Sequence, residues 1–384
     1  MTAPSITSQQ LELIAKSKNG YSKVAWWPER MQVIAEKMLT RFERYAEYVT
    51  HNLYDLRPRR VVFGIVDVES VGAFCYATPP DVDEPFDFVG INAGSIFVIR
   101  DAFARLCSDP QSFPLIGKPE LEAIPSPMAQ LSGRINPGSD FADSPRCPVR
   151  AEYAEDLCLV ALDSLFFHEI THLRNGHLEL QRRPNTALHW DEDPSDEWVN
   201  DDNIMRQALE MDADSASILH TLVQTKFTGG EVVQNLFRDI EKLHRLRWYG
   251  NIASICETVL LSTYLMFRIQ DVEWNWDQRW KDIHPAPAFR MALVTIMLFT
   301  YMEERPQLFG WYTAETFVED ANKAVIDLEK ALARAQGLRQ PDLAMLASTF
   351  GDPERLNAHL DAMKAAWAQV RPVLETTKRG GNLP

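Results

Sequence analysis

The sequence predicts an α+β fold, mainly helical, with a small β-sheet placed ahead of a buried helix that carries reactive side chains. Three observations predict it. Short apolar runs of β-formers are confined to residues 61–99. From Ala151 onward the apolar spacing is helical almost to the end. Within that helical part, two histidines stand four residues apart inside a strongly apolar stretch.

The elements follow in order. Residues 28–56 hold helix formers without an interrupting Gly or Pro and read as one long helix, closed by Arg57-Pro58. Val61–Val66, Gly72–Tyr76 and Phe88–Ile99 read as strands. Residues 108–150 contain eight of the 23 prolines and read as an irregular excursion. Helices are expected over 151–174, 202–226, 231–246, 248–268, 287–303, 314–335 and 354–370, and the tail Lys378–Gly381 is expected to fray. This divides the chain into an N-terminal helical region, 1–60, a core, 61–310, and a C-terminal helical region, 311–384.

Composition limits the function classes. The 384 residues carry a net charge of −15, with 46% hydrophobic residues. That balance is globular, and it excludes a general nucleic-acid binder, which needs a basic face. The five cysteines are scattered and odd in number, which fits a reducing compartment and a cytoplasmic location. The N-terminus lacks a basic segment followed by an apolar core, so no secretion signal is expected. Met291–Met302, the most apolar run, is too short for a bilayer, which needs about 20 residues. No membrane insertion is expected.

The chemistry centres on Asp156–His177, DLCLVALDSLFFHEITHLRNGH. Leu162, Phe166, Ile170 and Leu173 form an apolar row that anchors the helix. His168 and His172 stack one turn apart on a neighbouring face, where both reach one metal ion. Glu169 points about 100° round the helix, so it reaches a water at the metal without ligating. HExxH on a helix is the zinc-peptidase signature, with the glutamate as general base.

A catalytic zinc takes three protein ligands. The metzincin pattern wants Gly at 175 and His at 178, but those positions hold Asn175 and Leu178. Asn175-Gly176 reads instead as a helix stop. His177 is left with two readings, a place near the site or a capping role. The third ligand is expected downstream, in NIMRQALEMDADSASILHTL. Glu210 and Asp214 lie four apart on one face, beside small Ala213 and Ala216 that let another helix approach. Buried carboxylates need a metal or a base as partner. Glu210 is therefore the expected third ligand. Asp214 is expected to hydrogen-bond a ligand histidine.

HEITH followed by LEMDADSAS resembles the HExxH…ExxxD arrangement of gluzincin metallopeptidases. It is most similar to the class that holds the HtpX-like and CAAX-prenyl proteases, and to soluble bacterial relatives that include the Lit-like phage-exclusion peptidases. A third block, DIHPAPAFR, matches the HPxxxxR spacing of that class at His284, Pro285 and Arg290. The resemblance implies a zincin-like core, His284 stabilising the oxyanion and Arg290 bracing the site. It also implies that Gly90–Ile99 is the edge strand before HExxH, with Asn92, Ala93, Gly94 and Ser95 binding substrate. It covers about residues 90–295 and is specific to the class, not to a substrate.

The expected activity is a soluble, zinc-dependent endopeptidase acting on a protein or peptide. The competing readings are a catalytically silent zinc-binding interaction module and a metallohydrolase of a non-peptide amide. Retention of Glu169 with both histidines counts against the silent module. Trp190–Asp202 has seven acidic residues and no basic one, and it reads as a solvated loop.

Overall fold

The computed structural model describes residues 18–55, 59–78, 85–127, 141–180, 188–191, 200–236, 252–270, 284–309, 312–341 and 343–383, together with Leu11 and Lys16. Pro28 stands just before helix α1 (Glu29–Tyr48), where its fixed φ suits a helix start. Met31, Ile34, Ala35, Met38, Phe42, Tyr45 and Ala46 form its buried stripe. The expected long helix does not continue to residue 56. It ends at Tyr48 and widens into one π-helical turn, Val49–Leu53.

Four strands form one sheet in the order β1-β3-β2-β4: β1 (Arg60–Val66), β2 (Ala73–Ala77), β3 (Phe86–Asn92) and β4 (Leu188–Asp191). β3 is parallel to β1, with Gly64 opposite Gly90, and antiparallel to β2, with Phe74 opposite Gly90. β4 closes the sheet against β2, antiparallel.

The expected strand Phe88–Ile99 needs correction. It stops at Asn92, and helix α2 (Ala93–Ser108) begins at once. Ile96-Phe97-Val98-Ile99 is a continuous apolar run, a pattern that a buried strand and a buried helix share. Every residue of α2 is buried, so its packing against neighbouring helices overrides β-propensity. Gly94 permits the turn into α2: a Cβ there would lie 2.0 Å from the Glu69 carbonyl oxygen. Gly94→Ala is expected to cost about 1–3 kcal/mol. A urea midpoint equal to that of the wild type would show that the Glu69 backbone yields freely.

Helix α3 (Pro148–Arg174) runs through the middle of the molecule, with Leu157–Leu173 buried without a break. It packs on α2, on α5 (Asn200–Leu236) and on α6 (Ile252–Gln270), and it lies across β2 and β3. Gly176, at φ 79°, ends it in the left-handed region before the short helix α4 (His177–Leu180). α5 continues through Gly229 and Gly230 to Leu236, so the expected break near 226–231 is absent. The remainder of the expected 231–246 helix, 237–246, lies outside the described residues.

Helices α7 (Pro287–Glu303), α8 (Ala314–Ala335), α9 (Ala344–Phe350) and α10 (Pro353–Thr377) complete the order. One hydrophobic core takes in Ile34 and Phe42 of α1, the sheet, α3, α6, α8 and Leu374 of α10. The three sequence regions therefore share a single core. Among the described residues no helix is long and apolar enough to cross a membrane.

Two further segments are pinned by buried arginines. Arg150 of α3 donates to the carbonyls of Cys107, Asp109, Ser112, Phe113 and Ile116, which ties down the start of the proline-rich excursion. The tail at Lys378–Gly381 is not frayed. Arg379 is buried, its guanidinium lies 2.9 Å from Asp87 of β3, and it donates to the Leu173 carbonyl. Its own N–H donates to the Arg174 carbonyl at 2.7 Å. The tail thus satisfies carbonyls at the open end of α3.

Candidate metal centre

α3 and α5 lie side by side, and Ala213 of α5 is fully buried. That contact brings the expected ligands together. His168 Nε2 lies 3.0 Å from His172 Nε2 and 3.0 Å from Glu210 Oε2. His172 Nε2 lies 3.6 Å from Glu210 Oε1. The donor atoms of these three buried residues all fall within 4.8 Å of one another, so the group can hold a metal ion.

The donor set fits such an ion. Two imidazole nitrogens and a carboxylate oxygen, each about 2.0–2.1 Å from a tetrahedral ion, would stand about 3.3 Å apart. His168 Nε2 stands 3.0 Å from both His172 Nε2 and Glu210 Oε2, close to that value, while His172 Nε2 approaches the other Glu210 oxygen, Oε1, at 3.6 Å.

Asp214 and Arg290 support His168 from behind. His168 Nδ1 is 3.0 Å from Asp214 Oδ1. Arg290 donates to both oxygens of Asp214, at 2.7 and 2.8 Å, a bidentate pair. The Arg290 guanidinium lies over the Phe267 ring, 3.7 Å from its centre. His284 approaches from the other end of the HPxxxxR block, its Nε2 3.4 Å from Glu210 Oε2. Its side chain is 17% exposed, whereas those of His168, Glu210 and Asp214 are at most 2%. The exposed part of His284 lies away from the centre, since its Nε2, which faces Glu210, is buried.

Charge is held here against burial. Burial raises the pKa of Glu210, but the histidines around it, with protonated His168 donating to it, hold it well below the usual carboxylate range. Burial likewise opposes ionisation of Asp214, and the Arg290 pair overcomes it, bringing Asp214 to about 2. His172 is pushed down to about 3 by burial. His168 behaves oppositely: burial lowers it, yet its hydrogen bonds to Asp214 and Glu210 raise it well above an ordinary histidine. A cation among these donors would replace that proton.

Glu169 is fully buried on α3, beside the Cys75 thiol of β2. Burial pushes Cys75 well up, and the Glu169 charge adds to the shift, so this thiol stays protonated.

A second set of groups surrounds His172. His177 Nδ1 is 2.9 Å from His172 Nδ1, and His177 Nε2 is 3.1 Å from Asp212 Oδ2. Asn175 donates to Asp212 Oδ2 at 2.6 Å. Trp367 of α10 meets the His177 ring edge-on. Cys75, Asn175, Asp212 and Trp367 were not expected from the sequence. Asp212 alone left a signal there, as the middle carboxylate of Glu210-x-Asp212-x-Asp214.

Asn92, Ala93, Gly94 and Ser95 do not form the expected substrate edge. β3 is an interior strand, paired on both sides, and residues 93–95 begin α2. The Ser95 hydroxyl is engaged with the Gly72 backbone, accepting from its N–H and donating to its carbonyl. Of the acidic segment, Leu188–Asp191 forms β4 and Asn200–Asp202 opens α5, while 192–199 lies outside the described residues. No family model matches this chain, and neither the curated proteins nor the solved structures contain a match to it.

Proposed function

We propose that the chain is a zinc-dependent peptidase of the gluzincin kind, acting on a protein or peptide substrate. The observation that carries this reading is the convergence of His168, His172 and Glu210, with Glu169 next to His168 on the same helix. His168, His172 and Glu210 would hold the zinc; two nitrogens and one oxygen suit that ion. When bound, zinc supplies Lewis-acid polarisation and brings the pKa of water to about 7.

The remaining steps belong to side chains of this protein. Glu169 accepts a proton from the attacking water and delivers it to the leaving nitrogen. Asp214, fixed by Arg290, accepts a hydrogen bond from His168 Nδ1–H and so leaves the Nε2 lone pair to the ion. His284, whose Nε2 faces Glu210, donates to the oxyanion as the carbonyl becomes tetrahedral. With β3 interior, an extended substrate would add to the sheet along the outer edge of β4, the terminal strand.

The test is metal analysis of purified protein beside Glu210→Ala. The wild type is expected to retain about one zinc per chain. The variant is expected to lose at least ~100-fold in zinc affinity, on the order of 3 kcal/mol. Unchanged zinc in Glu210→Ala would remove Glu210 from the ligand set.

A further inference from the structure

The two ligand histidines are supported differently. His168 presents Nδ1 directly to a carboxylate, Asp214. His172 presents Nδ1 to another imidazole, at 2.9 Å. That contact, together with the placement of the metal proposed above, on which the inference rests, determines where the protons lie.

His172 turns Nε2 toward the donor cluster. A neutral ring that gives Nε2 to an ion carries its proton on Nδ1. His172 Nδ1 therefore donates, and His177 Nδ1 must accept, because two N–H groups cannot face each other at this distance. A neutral His177 that accepts at Nδ1 carries its proton on Nε2. The Asp212 carboxylate stands against that nitrogen at 3.1 Å, and the Asn175 amide holds the same oxygen from the other side. The proton between the two rings has one place, on His172 Nδ1, and the Asp212 carboxylate sets a negative charge against the far nitrogen of His177.

The backbone accounts for the placement. Gly176, in the left-handed region, breaks α3 so that His177 opens α4 and turns back toward His172. Asp212 sits on α5 between Glu210 and Asp214. Trp367 closes the outer side of His177. His172, His177, Asn175 and Asp212 are all buried, so water does not compete for these contacts.

We propose that His177 is a positioning residue: its Nδ1 accepts the hydrogen bond from His172 Nδ1–H, with the Asp212 carboxylate set against its other nitrogen, and it thereby fixes the ring plane and Nε2 direction of the metal ligand. The role is that of a carboxylate behind a ligand histidine, reached through an intervening imidazole.

Zinc affinity, measured by chelator competition at fixed pH, tests this without any assay of turnover. His177→Leu keeps the volume and removes both nitrogens. It is expected to weaken zinc by about 10–100-fold. His177→Gln offers a carbonyl oxygen to His172 and an N–H to Asp212, the same polarity in the same order. It is expected to bind zinc close to wild type. The cobalt-substituted proteins should agree, with an altered d–d spectrum for His177→Leu and a wild-type-like one for His177→Gln.

A purely structural histidine would lower the melting temperature of chelator-treated protein in both variants and leave the zinc affinity of the folded fraction unchanged. Should His177→Leu fail to fold, Asp212→Asn takes its place and is expected to lose about 10-fold in zinc affinity. Wild-type zinc affinity in His177→Leu, or an equal loss in His177→Gln, overturns the inference while the metal site stands. A wild-type protein that binds no zinc overturns both.

Discussion

Glu169→Gln is expected to lower hydrolysis of a denatured protein such as casein by about 10²–10⁴-fold, the usual worth of a general base. Zinc content should stay at the wild-type level, because Glu169 is not among the three clustered donors. The substitution is nearly isosteric at a fully buried position beside Cys75, so packing is preserved. What it removes is the proton acceptor. A Glu169→Gln enzyme that keeps full activity with its zinc in place would sink the proposed mechanism. Activity lost together with zinc would show instead that the glutamate organises the ligand set.

Arg290→Met is expected to produce the largest loss of stability, about 3–5 kcal/mol. Arg290 and Asp214 are both buried, and the guanidinium meets both carboxylate oxygens. Removing the cation strands a buried anion. The double variant Arg290→Met/Asp214→Leu should recover much of the lost stability, since an apolar pair can replace a buried ion pair. It should not recover zinc affinity, because His168 then lacks its Nδ1 partner. Urea unfolding of chelator-treated protein measures the first effect and chelator competition the second. A single variant within about 1 kcal/mol of wild type would contradict a bidentate pair shielded from water.

The same pair sets a pH dependence. Asp214 is depressed from 3.8 to about 2. Its contribution is therefore present above pH ~4 and is lost as pH falls through about 2.

Much of the centre was legible because a helix converts sequence spacing into direction. His168 and His172 share a face by the i+4 rule, and so do Glu210 and Asp214. The helices 287–303 and 314–335 were readable to the residue, since amphipathic spacing and flanking Pro or Thr mark their ends. Three features were not readable. α2 carries the composition of a buried strand, and only packing on its neighbours makes it helical. Arg379 looks like a solvated tail residue until Asp87 and the end of α3 are brought beside it. Asp212 belongs to His172 only because α4 interposes His177, a contact between three separate helices that no local spacing encodes.

Two donors of the centre lie on α3 and the third on α5, with residues 173–209 between them. An ion gripped by all three fastens both ends of that stretch. In the unfolded ensemble, closing the same ring carries an entropic penalty that rises only slowly with its length. All five cysteines of this protein are buried and free. With an ion bound, the centre would act as a reversible stand-in for a disulfide, a crosslink whose grip would follow the concentration of free metal.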